Sequence, residues 1–193
     1  MILSGFRARA RRVGTRIGGC IATVVIGVSC GAKSDGGVIG RHCIQDAELR
    51  AGFNGYGKDE VHLELGSPDC DGQTCLVLYF QGLVSCPYGQ TEAGGGCKTS
   101  DGAADVIHPV DPQLEARRAE DAVFCSCRCD GPDPDAEYCR CPQQFTCEFL
   151  VPALGFSEIA DEGAGSYCVP KGTELEPDNI PPETCDATTQ SCG

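Results

Sequence analysis

The sequence predicts a small disulfide-rich fold, mainly β with short helices and long loops. Two observations lead to this class. Cysteine supplies 16 of the 193 residues, a density typical of secreted chains whose folds are held by disulfides. The chain also contains 26 glycines and 12 prolines, which separate its β-prone segments into short runs. A chain of this composition supplements a small hydrophobic core with covalent cross-links.

Residues 1–29 are predicted to be a secretory signal. Five arginines and no acidic residue precede an uncharged, mostly apolar run from Ile17 to Ser29. A bilayer span takes about 20 residues, so this run is too short to be one. The run leads into Ser29-Cys30-Gly31, which resembles the lipobox of bacterial lipoproteins, whose cysteine becomes the lipidated first residue. The resemblance implies lipidation of Cys30, and ordinary signal-peptidase cleavage nearby is the alternative.

Cleavage before Cys30 leaves fourteen other cysteines, an even number that fits seven disulfides. The signal arginines are lost as well, so the mature chain carries 10 basic and 28 acidic residues, a net charge of −18. Such a charge excludes nucleic-acid binding and predicts that a protein partner offers a basic surface. The cysteines predicted to form disulfides are Cys43, Cys70, Cys75, Cys86, Cys97, Cys125, Cys127, Cys129, Cys139, Cys141, Cys147, Cys168, Cys185 and Cys192.

Composition divides the mature chain into three parts. The first is a glycine-rich segment without apolar periodicity, which predicts a flexible tether. The last contains three prolines and is predicted to be extended, with Cys185 and Cys192 either closing a small loop or tying the tail to the domain. The predicted parts are the tether (30–41), the cysteine-rich domain (42–170, densest in disulfides at 123–170) and the tail (171–193).

A β-hairpin is predicted in the first part of the domain. Val61–Leu65 alternates apolar and polar residues, and Leu76–Phe80 is a second β-prone run. A turn connects them, and a bridge between Cys70 and Cys75 would clip that turn.

Two short helices are also predicted. The first covers Cys43–Leu49 and is followed by several glycines. The second covers Gln113–Ala122, because Asp111-Pro112 provides an N-cap and a proline at the first helical position.

The segment 123–147 contains three Cys-x-Cys steps. Alternate residues of a strand point to one face, so Cys125, Cys127 and Cys129 are predicted to share a face of one strand. Cys139 and Cys141 are predicted to do the same on a second strand. A bridge within one Cys-x-Cys step is strained, so each cysteine is expected to pair with another element.

No metal or cofactor is expected. The Cys-x-Cys spacing is shorter than that of structural zinc sites, and export would keep these cysteines oxidised. The acidic loop 130–137, with Asp130, Asp133, Asp135 and Glu137, lacks the pattern of an EF-hand calcium loop. The alternative function is that of an extracytoplasmic metal-binding protein, which would use the Cys-x-Cys cluster or the acidic loop.

Catalytic patterns are missing from the sequence. His42, His62 and His108 form no metal-binding spacing, and the chain contains neither a Gly-x-Ser-x-Gly elbow nor a Cys-x-x-Cys redox pair. The protein is therefore expected not to be an enzyme, with a small secreted hydrolase or inhibitor as a further alternative.

Two resemblances accompany these patterns. Cys139–Cys147 resembles the end of an EGF-like module. Most of residues 70–175 is similar to uncharacterised cysteine-rich lipoproteins and secreted proteins of myxobacteria, which implies export but no activity. The stretches that carry this second similarity are Val84–Gln90, Phe124–Cys129, Tyr138–Cys147 and Gly165–Cys168.

The expected function is that of a non-enzymatic, lipid-anchored protein of the cell envelope with a structural or partner-binding role. Its only expected membrane contact is the lipid, a palmitate-type modification, on Cys30. Gly31 rather than an aspartate follows Cys30, and by resemblance to lipoprotein sorting this favours the outer membrane.

Overall fold

The computed structural model describes residues 37–153, 162–173 and 177–193, which belong to one unit, Lys33–Gly193. The predicted signal, Cys30 and most of the tether lie outside the described residues. Within the described ranges, no helix has the length and apolar character needed to cross a membrane.

The first sheet contains the predicted hairpin. Its antiparallel strands are β1 (Val61–Glu64), β2 (Thr74–Leu78) and β3 (Val123–Ser126), in the order β1-β2-β3. The second arm begins two residues earlier than predicted and ends at Leu78, because Tyr79 adopts a left-handed conformation with φ 51°.

The second sheet consists of β4 (Arg128–Asp130), β5 (Phe145–Val151) and β6 (Gly165–Pro170), with β6 in the centre. Both strand pairs are antiparallel. Gly165 starts β6 with φ +135°, and a Cβ at this position would lie 2.2 Å from the Asp130 carbonyl oxygen. Only glycine therefore permits this close approach of β6 to the end of β4.

The prediction of one strand carrying Cys125, Cys127 and Cys129 is wrong. The chain leaves the first sheet after Ser126 and enters the second at Arg128, so Cys127 lies at the junction between β3 and β4. The predicted strand at Cys139 and Cys141 is absent as well, and these residues lie in irregular structure. Pro142 directly follows and cannot donate a ladder hydrogen bond.

Helices are short. The first prediction corresponds to a 3-10 helix, Asp46–Leu49, and the second is wrong over most of its length, because α1 covers only Ala119–Ala122. The Gln113 amide donates to the Pro87 carbonyl oxygen at 2.9 Å, so its backbone pairs with a distant segment. Further 3-10 helices are Pro68–Cys70 and Pro177–Asn179, the latter within the predicted extended tail.

One cluster of buried apolar side chains joins the two sheets. Leu76, Leu78 and Phe124 of the first sheet pack against Tyr167 and Val169 of the second. Other buried clusters lie under the N-terminal segment and under the loops that follow β2. The mainly-β, disulfide-rich class is thereby confirmed.

Seven disulfides join the fourteen cysteines. The predicted Cys70–Cys75 bridge is wrong, because Cys75 bonds to Cys43 and Cys70 to Cys125. Bonding of Cys185 to Cys192 closes a loop in the tail. No bridge joins two neighbours of one Cys-x-Cys step. The other four bridges are Cys86–Cys97, Cys127–Cys139, Cys129–Cys147 and Cys141–Cys168.

Candidate functional site

Three disulfides of the second sheet are in contact with one another. The Cys127 and Cys139 sulfurs lie 3.7 and 3.6 Å from Cys168 Sγ, which is bonded to Cys141. The sulfurs of Cys129, Cys141 and Cys147 all lie within 4.8 Å of one another. We call these three bridges, Cys127–Cys139, Cys141–Cys168 and Cys129–Cys147, the sulfur cluster.

Access to the sulfur cluster differs between its two ends. Cys127 and Cys139 line a cleft of about 660 Å³ between the two sheets, which we call the junction cleft. Cys168 is fully buried, whereas Cys147 at the opposite end is exposed. The cluster thus connects the wall of a cleft with the outer surface through a buried sulfur.

Arg128 and two tyrosines also line the junction cleft. The Arg128 guanidinium lies 5.5 Å from the centroid of the Tyr138 ring and donates to the Glu162 carbonyl oxygen at 2.7 Å. Burial raises the pKa of Tyr167, whose hydroxyl donates to the Gly163 carbonyl oxygen. A fixed cation therefore lies in the same cleft as the Cys127–Cys139 bridge, and such a charge stabilises thiolates.

A second group of disulfides is sealed inside the first sheet. The sulfurs of Cys43, Cys70 and Cys75 lie within 4.8 Å of one another, and Cys125 completes this pair of bridges. These four cysteines are at most 2% exposed. Solvent and dissolved thiols therefore do not reach them in the folded protein.

A second cleft, with a volume of about 960 Å³, lies among the loops after β2. Tyr88, Glu92 and Asp111 line it together with the Cys86–Cys97 bridge, and its lining contains no lysine or arginine. We call it the loop cleft. Its two charged lining residues, Glu92 and Asp111, are acidic and favour cationic over anionic groups.

Two buried charged residues were not found by sequence analysis. Glu48 is 2% exposed, and its carboxylate accepts hydrogen bonds from the Val84 amide at 3.1 Å and the Ser100 hydroxyl at 2.6 Å. Burial raises its pKa. Arg117 is 1% exposed and donates to the Leu78 carbonyl oxygen. Both residues hold loops onto the core, and no local motif distinguishes them from surface charges.

The cysteines and two of the four acidic-loop carboxylates that were considered for metal binding have other partners. Every cysteine of the Cys-x-Cys steps is in a disulfide, so none offers the thiolate that a metal requires. In the acidic loop, Asp133 accepts from the Asp135 amide and Asp130 from the Gly131 amide. Among the described residues, no three carboxylates or imidazoles are close enough to share an ion.

The three histidines do not meet at one site. The His42 ring nitrogen lies 2.9 Å from the Val123 carbonyl oxygen, and His62 pairs with Glu60 at 2.9 Å on the surface. His108 contributes its carbonyl oxygen to Gln90. Each histidine therefore has its own separate surroundings, and the sulfur cluster is the most distinctive chemical feature of the described part of the fold.

Comparison with protein-family models, curated proteins and solved structures finds no match to this chain.

Proposed function

We propose that this is a non-enzymatic exported protein, anchored by lipid on Cys30, whose disulfide-stapled domain binds a partner with a basic surface. The observation that carries the proposal is the complete oxidation of fourteen cysteines in seven disulfides. Disulfides persist in oxidising compartments, so this state supports an address outside the cytosol.

The charge distribution supports a basic partner. Among the described residues, three ion pairs join a lysine or arginine to a carboxylate, and all three lie on the surface. Exposed pairs of this kind contribute little to stability, about 0–1 kcal/mol each. Most acidic side chains within the described ranges form no such ion pair, and a basic partner would supply the opposite charges.

Lipidation is tested by feeding radiolabelled palmitate to cells that express the full chain. Wild-type protein should carry the label and Cys30→Ala should lose it, because the resemblance to a lipobox assigns the lipid to that thiol. Cys20→Ala is the matched control and should keep the label. Label that persists in Cys30→Ala would contradict the proposed anchor.

Partner charge is tested with peptide probes. A lysine-rich peptide should bind the purified domain in calorimetry, and its affinity should fall as salt is raised, because salt screens exposed charges. A glutamate-rich peptide of the same length is the control and should not bind. Equal binding of both peptides, or binding that salt does not change, would contradict the proposal.

A further inference from the structure

We propose that the junction cleft is a thiol-reactive site, at which an incoming thiol bonds to Cys139 and the sulfur cluster passes the displaced thiolate to Cys147 on the surface. The proposal is independent of the lipid anchor and of partner charge. It assigns a single round of disulfide exchange, without turnover, to the three contacting bridges, in addition to their structural role. The co-reactant is a small thiol, or a cysteine thiolate of another exported protein.

The reaction begins at the wall of the junction cleft. Cys139 is half-buried and Cys127 is buried, so Cys139 is the more accessible sulfur of their bridge. Attack by a thiolate on Cys139 Sγ forms a mixed disulfide and releases the Cys127 thiolate. Arg128 lines the same cleft and stabilises this negative charge, although Glu137 and Glu162 also line the cleft and oppose it.

The first transfer occurs in the interior. The Cys127 sulfur lies 3.7 Å from Cys168 Sγ, so the released thiolate is already in contact with the next bridge. Attack on Cys168 forms a Cys127–Cys168 bond and releases the Cys141 thiolate. Cys168 is fully buried, and only a sulfur from within the protein reaches it.

The second transfer carries the thiolate to the surface. Cys141 Sγ lies within 4.8 Å of the sulfurs of Cys129 and Cys147. Its attack on Cys129 forms Cys129–Cys141 and expels Cys147, which is exposed and takes a proton from water. Attack at Cys129 is favoured because the expelled charge then appears on exposed Cys147 rather than on half-buried Cys129.

The electron count is unchanged by the whole sequence. Three disulfides are present at the start, and three are present at the end, one of them mixed with the incoming thiol. One thiolate is consumed when the incoming thiol bonds to Cys139, and one is released at Cys147, so no oxidant or reductant is needed. The bonds that break are Cys127–Cys139, Cys141–Cys168 and Cys129–Cys147, and those that form are Cys139–thiol, Cys127–Cys168 and Cys129–Cys141.

Disulfide mapping of the full chain tests the relay. Oxidised protein is incubated with limiting reduced glutathione, quenched with acid and alkylated with N-ethylmaleimide at mildly acidic pH, where exchange is slow. Mass spectrometry of the digest should place glutathione on Cys139 and maleimide on Cys147. It should also detect the new Cys127–Cys168 and Cys129–Cys141 bridges.

Three results would overturn the proposal. Maleimide retained on Cys127 or Cys141 would show that the thiolate does not reach the surface. Glutathione on Cys129 or Cys147 would show that thiols enter from the outside instead. A protein that carries no glutathione while free reduced glutathione is still present would show that the cleft does not admit a thiol.

Two controls distinguish the relay from direct attack of glutathione on an accessible disulfide. Cys86–Cys97 lines the loop cleft and, in the described part of the chain, belongs to no group of contacting sulfurs. Attack by glutathione there should place glutathione on one cysteine of the pair and maleimide on the other. Replacing both Cys129 and Cys147 by serine should keep glutathione on Cys139 and move maleimide to Cys141. If that variant does not fold, the wild-type map alone decides.

Discussion

The two sheets use disulfides in different ways. In the first sheet every residue of β2 and β3 is buried, and the bridges Cys43–Cys75 and Cys70–Cys125 lie inside an apolar core. In the second sheet β4 and β5 are largely half-buried or exposed, and three bridges pack against one another. Sulfur therefore supplements hydrophobic burial in the first sheet and replaces part of it in the second.

This difference has a chemical consequence. A bridge within an apolar core contributes to stability and is protected from dissolved thiols. A bridge at the wall of a cleft stabilises a small sheet but stays open to exchange.

The largest expected effect concerns two phenylalanines, one from each sheet. Phe124 is 2% exposed and packs between the sheets, whereas Phe149 on β5 is 67% exposed. Phe124→Ala should lower the free energy of unfolding by about 3–5 kcal/mol, because it leaves a cavity. Phe149→Ala should change it by no more than about 0.5 kcal/mol. Denaturant unfolding measures both, and equal losses would contradict the exposure of Phe149.

Removing one bridge from each sheet should give the next largest difference. Cys70 and Cys125 are 55 residues apart, and Cys129 and Cys147 are 18 apart. The chain-entropy relation assigns about 4 kcal/mol to the first closure and about 3 kcal/mol to the second. Replacement of Cys70 and Cys125 by alanine also leaves a buried cavity, so its loss in denaturant unfolding should be clearly larger. A larger loss from the Cys129–Cys147 pair would reverse the comparison.

Partial reduction should follow the same division. A water-soluble phosphine at low concentration should reduce Cys127–Cys139 early, because this bridge lines the open junction cleft. Cys43–Cys75 and Cys70–Cys125 should be reduced last, since all four residues are buried. Alkylation and peptide mapping at successive times measure the order. Early loss of the Cys70–Cys125 bridge would show that the first sheet opens more readily than its burial indicates.

The smallest expected effect is a pH dependence from Glu48, in the segment that Cys43 ties to β2. Burial raises its pKa above the unperturbed value of 4.5, so the folded state binds this proton more tightly than the unfolded state. Its contribution to stability is therefore present below pH 4.5 and is lost as pH rises through the folded-state pKa.

Glu48→Gln should remove that dependence. The unfolding free energies of the variant and the wild type, measured across a pH series, should be similar below pH 4.5. As pH rises from there through the folded-state pKa of Glu48, only the wild type should lose stability through this group. The hydrogen bonds that lower the pKa of exposed Asp186 act in both proteins and cancel in the difference. Parallel curves would show that Glu48 titrates alike in the folded and unfolded chains.

Local patterns predicted part of this fold. The alternation at Val61–Leu65 identified β1. Successive side chains of a strand point to opposite faces, so a strand with one buried face alternates apolar and polar residues. The helix predicted at Gln113–Ala122 failed because Gln113 bonds to Leu83, Pro87 and Cys185 across the fold. Local propensity does not include such distant partners, and in short elements they outweigh it.

The candidate site was only partly visible in the sequence. The Cys-x-Cys steps identified the densest disulfide region, and the strain of a bridge within one step predicted that each cysteine pairs elsewhere. The contact of three bridges around Cys168 was not predicted, because Cys168 reaches the cluster from a strand far along the chain. Glu48 and Arg117 were also missed, since their burial depends on loops that cover them.

The sequence by itself determined the fold class, the hairpin and an even set of fourteen cysteines. Only the tertiary structure decided which cysteines bond. Cys75 and Cys125 lie opposite each other on neighbouring strands, yet each bonds to a cysteine outside the sheet. The physical reason is that a disulfide requires two sulfurs to approach with a narrow geometry. That approach depends on how distant segments pack and not on their spacing along the chain.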